Sequence, residues 1–256
     1  MKIHYKQAKP ISYGGTRALS SVRFVVIHNT GNENDSSAGN ASYFSRYGDG
    51  NTRNAGAHFF IDQDGVIYQT IKLDRIAWAV GDPVQTTSHG AASLHGKCTN
   101  TNSVSIELCD IVSKNPSKAM ITSTKEVIAY IRQHCKNAKT VCRHYDVSGK
   151  DCPERMTNAT DTKKKRWLNF LEAIGERKPY PTVDLKFGDT GEQVKRLQRC
   201  LNKLDNAGLT VDGSFGKATL KAVNAFKKKH GLSATSGKVG AKTRALIKNE
   251  LEKKKK

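Results

Sequence analysis

Nowhere in this 256-residue chain do apolar residues run on long enough to span a bilayer, and only 37% of its residues are hydrophobic, so a helical anchor is excluded and no membrane insertion is expected. Acidic residues are scarce: 23 Asp and Glu face 43 Lys and Arg, a formal net charge of +20. Such an excess raises nucleic acid as a partner, but no nucleic-acid-binding motif accompanies it, and none is expected to bind. The six cysteines are too few and too scattered for a disulfide framework, and no structural disulfide is expected. The basic N-terminus from Met1 to Pro10 is followed by no apolar h-region, so no secretory signal is visible and synthesis in the cytoplasm is expected. No sequence feature selects an oligomeric state. The length suffices for one full-sized core and a smaller second one.

What is present is concentrated in one run, His144-Tyr145-Asp146-Val147-Ser148-Gly149-Lys150-Asp151-Cys152-Pro153. His and Cys are both good zinc ligands, and their eight-residue separation is too long for one helical face and unlike a paired CxxC knuckle, so a loop is expected to fold both onto one ion. A catalytic zinc keeps three protein ligands and one open position. The third candidate is His28, where the β-branched run Val25-Val26-Ile27 ends in the polar turn Asn29-Thr30-Gly31, since a strand end holds a ligand rigidly. Taken singly, each of these residues is more often structural: a strand-end histidine makes hydrogen bonds, and a lone cysteine is a small buried hydrophobe. Only the combination points to metal chemistry.

The segments Val25 to Gly31, Ala57-His58-Phe59-Phe60-Ile61-Asp62-Gln63-Asp64-Gly65 and His144 to Pro153, in that order, resemble the type 2 family of N-acetylmuramoyl-L-alanine amidases, which includes many phage lysins. The resemblance covers roughly the first 175 residues and implies a zinc site of His28, His144 and Cys152. Many members place a tyrosine before the His-Phe pair; here Ala57 stands there, so a tyrosine relay is absent and more falls on other groups.

In Ser103-Val104-Ser105-Ile106-Glu107-Leu108 apolar and polar residues alternate, the period of a half-buried strand, which turns Glu107 away from the apolar face. If that polar face lines the cleft, Glu107 can act as general base towards water and then protonate the leaving amine. A subset of the resembled amidases carries glutamate in this strand. Lys150, two positions before Cys152, is carried close to the ion by the same loop, and its ammonium suits a developing oxyanion. The plain alternatives are an exposed strand glutamate and a solvated lysine.

Periodicity predicts a strand over Val22 to Ile27, part of a helix over Ala41 to Tyr47, and a hairpin from Phe59 to Asp62 through Asp64-Gly65 into Val66 to Tyr68. Helices are expected near Thr122 to Cys135 and from Trp167 to Ile174. The fold class expected is α/β, a central mixed β-sheet flanked by helices, followed by a small all-α three-helix domain. Trp78 reads as a core aromatic slightly ahead of a sugar-stacking surface, and the long connection from Gly81 to Asn102 is expected to border the site.

The pattern breaks around Gly175 to Pro181, giving residues 1–175 as catalytic domain, 176–183 as linker and 184–256 as a second domain. There, Val194, Leu197, Leu201 and Leu204, then Leu220, Val223 and Phe226, recur at helical spacing, and a third helix is expected from near Ala241. Gly216-Lys217-Ala218-Thr219-Leu220 echoes Gly240-Ala241-Lys242-Thr243-Arg244 at an offset of 24. The segments Leu185 to Gln198 and Val211 to Gly216 resemble the three-helix peptidoglycan-binding domain of wall hydrolases. Charge follows that division: 20 basic and 8 acidic residues from Glu176 onward make +12, leaving +8 for the rest, which fits an anionic wall as partner. The run Lys253 to Lys256 is expected to be a solvated tail.

The resemblances together imply zinc-dependent cleavage, in peptidoglycan, of the amide joining N-acetylmuramic acid to L-alanine, by an endolysin made in the host cytoplasm and acting outside it on the wall. The alternatives are a bacterial autolysin, an enzyme cutting another amide, and a wall-recognition protein that does not cleave.

Overall fold

The computed structural model describes residues 1–46, 54–84, 92–160 and 165–254. The chain divides into two compact units, Met1–Glu176 and Arg177–Lys256.

In the first unit the elements are, in chain order, β1 (Ile3–Tyr5), β2 (Tyr13–Thr16), β3 (Phe24–Asn29), α1 (Ser37–Ser45), β4 (Phe59–Ile61), β5 (Ile67–Gln69), β6 (Arg75–Ala77), β7 (Ser103–Leu108), α2 (Lys118–His134), β8 (Thr140–Arg143), α3 (His144–Ser148) and α4 (Lys165–Ala173). Six strands form one mixed sheet in the order β1-β5-β4-β7-β3-β8, and β2 pairs with β6 apart from it. Parallel pairing joins β4, β7, β3 and β8, whereas β4 and β5 form the antiparallel hairpin. Gly65 closes that hairpin at φ +79, a left-handed conformation suited to glycine, and its N–H donates to the Asp62 carbonyl at 2.9 Å.

Central strands are buried on both faces, so their sequences decide what each face meets. Val25, Ile27, Val104, Ile106 and Leu108 enter the main core with Val127, Ile128 and Ile131 of α2 and Trp167 and Phe170 of α4. Each such side chain contributes roughly 1.5–3 kcal/mol on burial. Val26 instead joins a separate small cluster with Cys98, Cys142 and Val147. Because side chains alternate along a strand, the face opposite the main core carries Val26 and His28 on β3, and Ser105 and Glu107 on β7.

Several elements differ from the sequence expectation. The third strand runs from Phe24 to Asn29, which puts His28 within it, because pairing with β7 continues to Asn29↔Leu108. The strand β7 is buried on both sides, including Ser103 and Ser105. Helix α1 begins earlier, after the cap Ser36, and Tyr47 lies outside the described residues. Helix α2 begins at Lys118, where the Ser117 hydroxyl accepts the Met120 N–H at 3.0 Å.

The second unit contains α5 (Glu192–Asp205), α6 (Lys217–Lys229) and α7 (Ala241–Lys253) around a core of its own that includes Leu185, Leu197, Leu201, Phe215, Phe226 and Ile247. The two echoing glycines cap α6 and α7 with nearly the same backbone, φ −86 and ψ −169 at Gly216 and φ −89 and ψ −170 at Gly240. One turn into each helix a threonine, Thr219 or Thr243, is buried.

Candidate active site

Strand β8 runs straight into α3, so His144 emerges at the first residue of a short helix beside the end of β3. The segment expected to be a loop therefore contains a helical turn. Gly149 ends it at φ +82, and the chain returns so that the Tyr145 N–H donates to the Cys152 carbonyl at 2.8 Å. Buried Arg143 braces the turn: its guanidinium meets Asp146 at 2.6 Å, donates to the Met156 carbonyl at 2.7 Å, and lies over the rings of Tyr145 and Trp167. The Glu154 N–H donates to Asn29 Oδ1 at 2.9 Å and ties the far end of the motif to β3.

These constraints bring His28, His144 and Cys152 together, one donor atom of each within 4.8 Å of the others. All three are buried. His28 Nδ1 lies 3.7 Å from Cys152 Sγ, and the two imidazole centroids are 4.6 Å apart. Nε2 of His28 is buried without a hydrogen-bond partner among the described residues. Burial holds His28 well below the ordinary histidine pKa and, with Lys150 nearby and against the pull of Asp82, lowers His144 to about 4. Burial and then the Glu107 charge push the Cys152 thiol up.

Glu107 is the register partner of His28 across β3 and β7, and both line one cleft of about 1140 Å³. Lys150 is on the same wall, its Nζ 3.4 Å from Asp82 Oδ2. The five residues singled out from sequence thus share one cavity. Asp82 was not among them: it stands 2.9 Å from His144 Nε2. No periodicity marks Asp82, which follows Gly81 in a connection; residues 85–91 of that connection lie outside the described residues, while Gly81, Asp82 and Asn100 line the cleft.

Trp78 is half-buried in the cleft wall, which corrects the core reading. Its ring lies 2.6 Å from where a Cβ of Gly14 would stand, so any side chain at residue 14 would displace it. Ala57 also lines the cleft, but His58 is turned into the protein: it is fully buried, its Nδ1 accepts the Ser105 N–H at 3.1 Å, and its Nε2 lies 3.1 Å from the Arg75 carbonyl and 2.9 Å from Arg17 Nη2. Asn29, Asn34, Asn40, Asn54 and Asn100 add amide groups to the cleft.

The fold of the first unit recurs in solved structures. The structure of PlyL matches with a TM-score of 0.51 at 24% identity, over 68% of this chain and 97% of that one, and the catalytic domain of XlyA matches with 0.51 at 20% identity, over 68% and 100%. The family model described as N-acetylmuramoyl-L-alanine amidase matches residues 18–155, more than half of the chain, and the chain belongs to that family, whose members cleave the amide between N-acetylmuramic acid and L-alanine in peptidoglycan. A second model, described as a putative peptidoglycan binding domain, matches residues 190–247. Among curated relatives, the N-acetylmuramoyl-L-alanine amidase CwlH of Bacillus subtilis (strain 168) is 25% identical over 82% of this chain and 84% of its own length. The N-acetylmuramoyl-L-alanine amidase CwlL of Bacillus licheniformis is 26% identical over 90% of this chain and 66% of its own length.

Proposed function

We propose that this amidase is zinc-dependent, with His28, His144 and Cys152 as ligands, Glu107 as general base and Lys150 as the cation beside the oxyanion. The observation that carries the reading is the convergence of two imidazoles and a thiol at the edge of a cleft whose wall also presents Glu107. The donor set suits zinc, and His28 Nδ1 and Cys152 Sγ already stand 3.7 Å apart, close to the spacing of two donors on one tetrahedral ion. Zinc held there supplies Lewis-acid polarisation of the scissile carbonyl and activation of water.

The remaining work falls to the chain's own groups. The Glu107 carboxylate accepts a proton from the attacking water and passes it to the departing L-alanine nitrogen. The Lys150 ammonium faces the negative charge that grows on the carbonyl oxygen, and Asp82 holds that ammonium beside His144. The cleft amides offer donors and acceptors to sugar hydroxyl and acetamido groups, and Trp78 offers an aromatic wall. Residues 184–256 serve as a wall tether joined by residues 176–183 to a catalytic domain of residues 1–175, raising the substrate concentration the cleft experiences. Among the described residues no helix is long and apolar enough to cross a membrane. The setting we favour is a phage or prophage lysin, made in the host cytoplasm and acting on the wall.

Digestion of purified peptidoglycan with and without a zinc chelator tests this. The expected result is release of L-alanine amino termini that the chelator abolishes and added zinc restores. Other new termini would mean another amide is cut, and wall binding without release would favour a recognition protein.

A further inference from the structure

We propose that a second cavity of the first unit, beside the catalytic cleft, is an anion subsite for the free carboxylates of the peptidoglycan stem peptide. This rests on the amidase reading above. The cavity has a volume of about 580 Å³, a usual size for a small-ligand site. Ile111, Ile121, Met156 and Phe170 give it apolar surface. Lys114, Arg155, Lys165 and Arg166 line it as well, against a single carboxylate, Glu154.

The four cations are not equivalent. Lys114 is engaged by Asp110 at 2.6 Å, and Arg166 Nη1 reaches the Arg155 carbonyl at 3.4 Å. Arg155 differs: its Nη1 is buried without a hydrogen-bond partner among the described residues. A buried guanidinium nitrogen without a partner is costly, and a carboxylate forms the fork-shaped pair that satisfies it. The backbone of Arg155 is also left-handed at φ +65, an unfavourable conformation for a residue with a Cβ, held between the Glu154–Asn29 bond and the Met156 N–H to Pro153 carbonyl bond of 3.1 Å.

Glu154 lines both this cavity and the catalytic cleft, which places the two side by side. Arg155 follows Cys152 by three residues, so its Cα lies at most about 11 Å from that of the ligand cysteine. Peptide extending from a carbonyl cleaved at the cleft covers the same distance in three residues. In the uncut substrate the lactyl carboxyl of the glycan is tied up in the amide, whereas the stem peptide carries free carboxylates. A cation-lined cavity with apolar surface therefore fits the peptide side: carboxylates on Arg155 and Lys165, methyl and methylene groups against Ile111 and Phe170.

Calorimetric binding of a free stem tripeptide beginning L-alanyl-γ-D-glutamate tests this on the full chain, beside the same peptide with its carboxylates amidated. The free peptide is expected to bind wild type, with about tenfold weaker binding to Arg155→Gln, while the amidated peptide binds wild type weakly. Lys165→Gln, a change at an exposed position that leaves the core intact, is expected to weaken the free peptide in the same direction. Equal affinity of wild type for the two peptides, or equal affinity of the free peptide for wild type and both variants, overturns the proposal. So does binding of a glycerol phosphate oligomer where the free peptide fails to bind. None of these readouts needs turnover, so an enzyme that fails to cleave wall would sink the amidase reading and leave this measurement to stand or fall separately.

Discussion

His28 and Glu107 sit directly opposite each other on the parallel strands β3 and β7, on the sheet face away from the main core. Parallel register with a period of two makes this a property of backbone pairing, not of flexible side chains. Glu107→Gln keeps the volume and removes the proposed base. Turnover on purified wall is expected to fall by about 10²–10⁴ with metal content and wall binding unchanged. Metal analysis, wall pull-down and release of amino termini on the same preparation check it; a parallel loss of metal would make Glu107 structural.

The carboxylate of Asp82 lies 2.9 Å from His144 Nε2 and 3.4 Å from Lys150 Nζ. A carboxylate next to a ligand histidine fixes its ring, and removing it ordinarily costs about 10–100-fold in metal affinity or activity. Asp82→Asn is expected to lose zinc to a competing chelator at a lower chelator concentration and to lower kcat. Unchanged zinc affinity together with unchanged kcat would show that the pair is incidental.

Arg143 braces the proposed metal-binding turn from within the protein, through Asp146 and the Met156 carbonyl. Leaving Asp146 behind without its guanidinium costs about 3–5 kcal/mol for a buried pair. Arg143→Met should lower the urea midpoint accordingly, while the double variant Arg143→Met with Asp146→Leu should recover part of the loss. Additivity of the two losses would argue against the pairing.

His58, outside the candidate metal site, supplies a pH dependence of the same sign as that of the buried His28 and His144. Burial and then the neighbouring Arg17 charge lower its pKa to about 3, so the fold holds it neutral, whereas unfolded it titrates near its ordinary 6.5. Between those values the unfolded state binds more protons than the native one. Its contribution is therefore complete above pH 6.5 and is lost as pH falls towards 3, on the order of 5 kcal/mol in all. Urea unfolding between pH 4 and 7 measures the slope, and His58→Gln is expected to flatten it. An unchanged slope in the variant would assign it to other groups.

How much of this was legible depends on whether the signal was local. His144, Lys150 and Cys152 share ten residues, and His28 stands where an apolar run meets a polar turn, so these residues could be named from the chain. Their partnership with Glu107 depends on strand register, which alternation within Ser103–Leu108 does not encode: the same alternation suited a half-buried strand, and β7 is a central one. Asp82 and Trp78 occupy connecting backbone without period. What places Trp78 in the cleft wall is the missing side chain of Gly14, more than sixty residues away. Helix α2 was detectable by its apolar spacing, but its start was set by the cap Ser117, one turn before the first residue its pattern marked.

The unit Arg177–Lys256 has its own core, from Leu185 through Leu251, and a charge of +12 counted from Glu176 onward, which sets the terms for separating it from the first unit. If it acts as a tether, its effect is a matter of effective concentration and not of chemistry in the cleft. A truncated protein ending at Glu176 should then hydrolyse a soluble muropeptide at the full-length rate yet clear intact wall about 10²-fold more slowly at low enzyme concentration. The deficit should shrink as enzyme concentration rises, because unassisted encounter replaces tethering. Added salt should slow the full-length protein on wall towards the truncated one, since exposed charges lose their reach when the Debye length falls to about 3 Å near 1 M. Turbidity clearance at several enzyme and salt concentrations measures both trends. Equal slowing of the truncated protein on soluble and insoluble substrate would instead mean that the second unit supports the structure of the first.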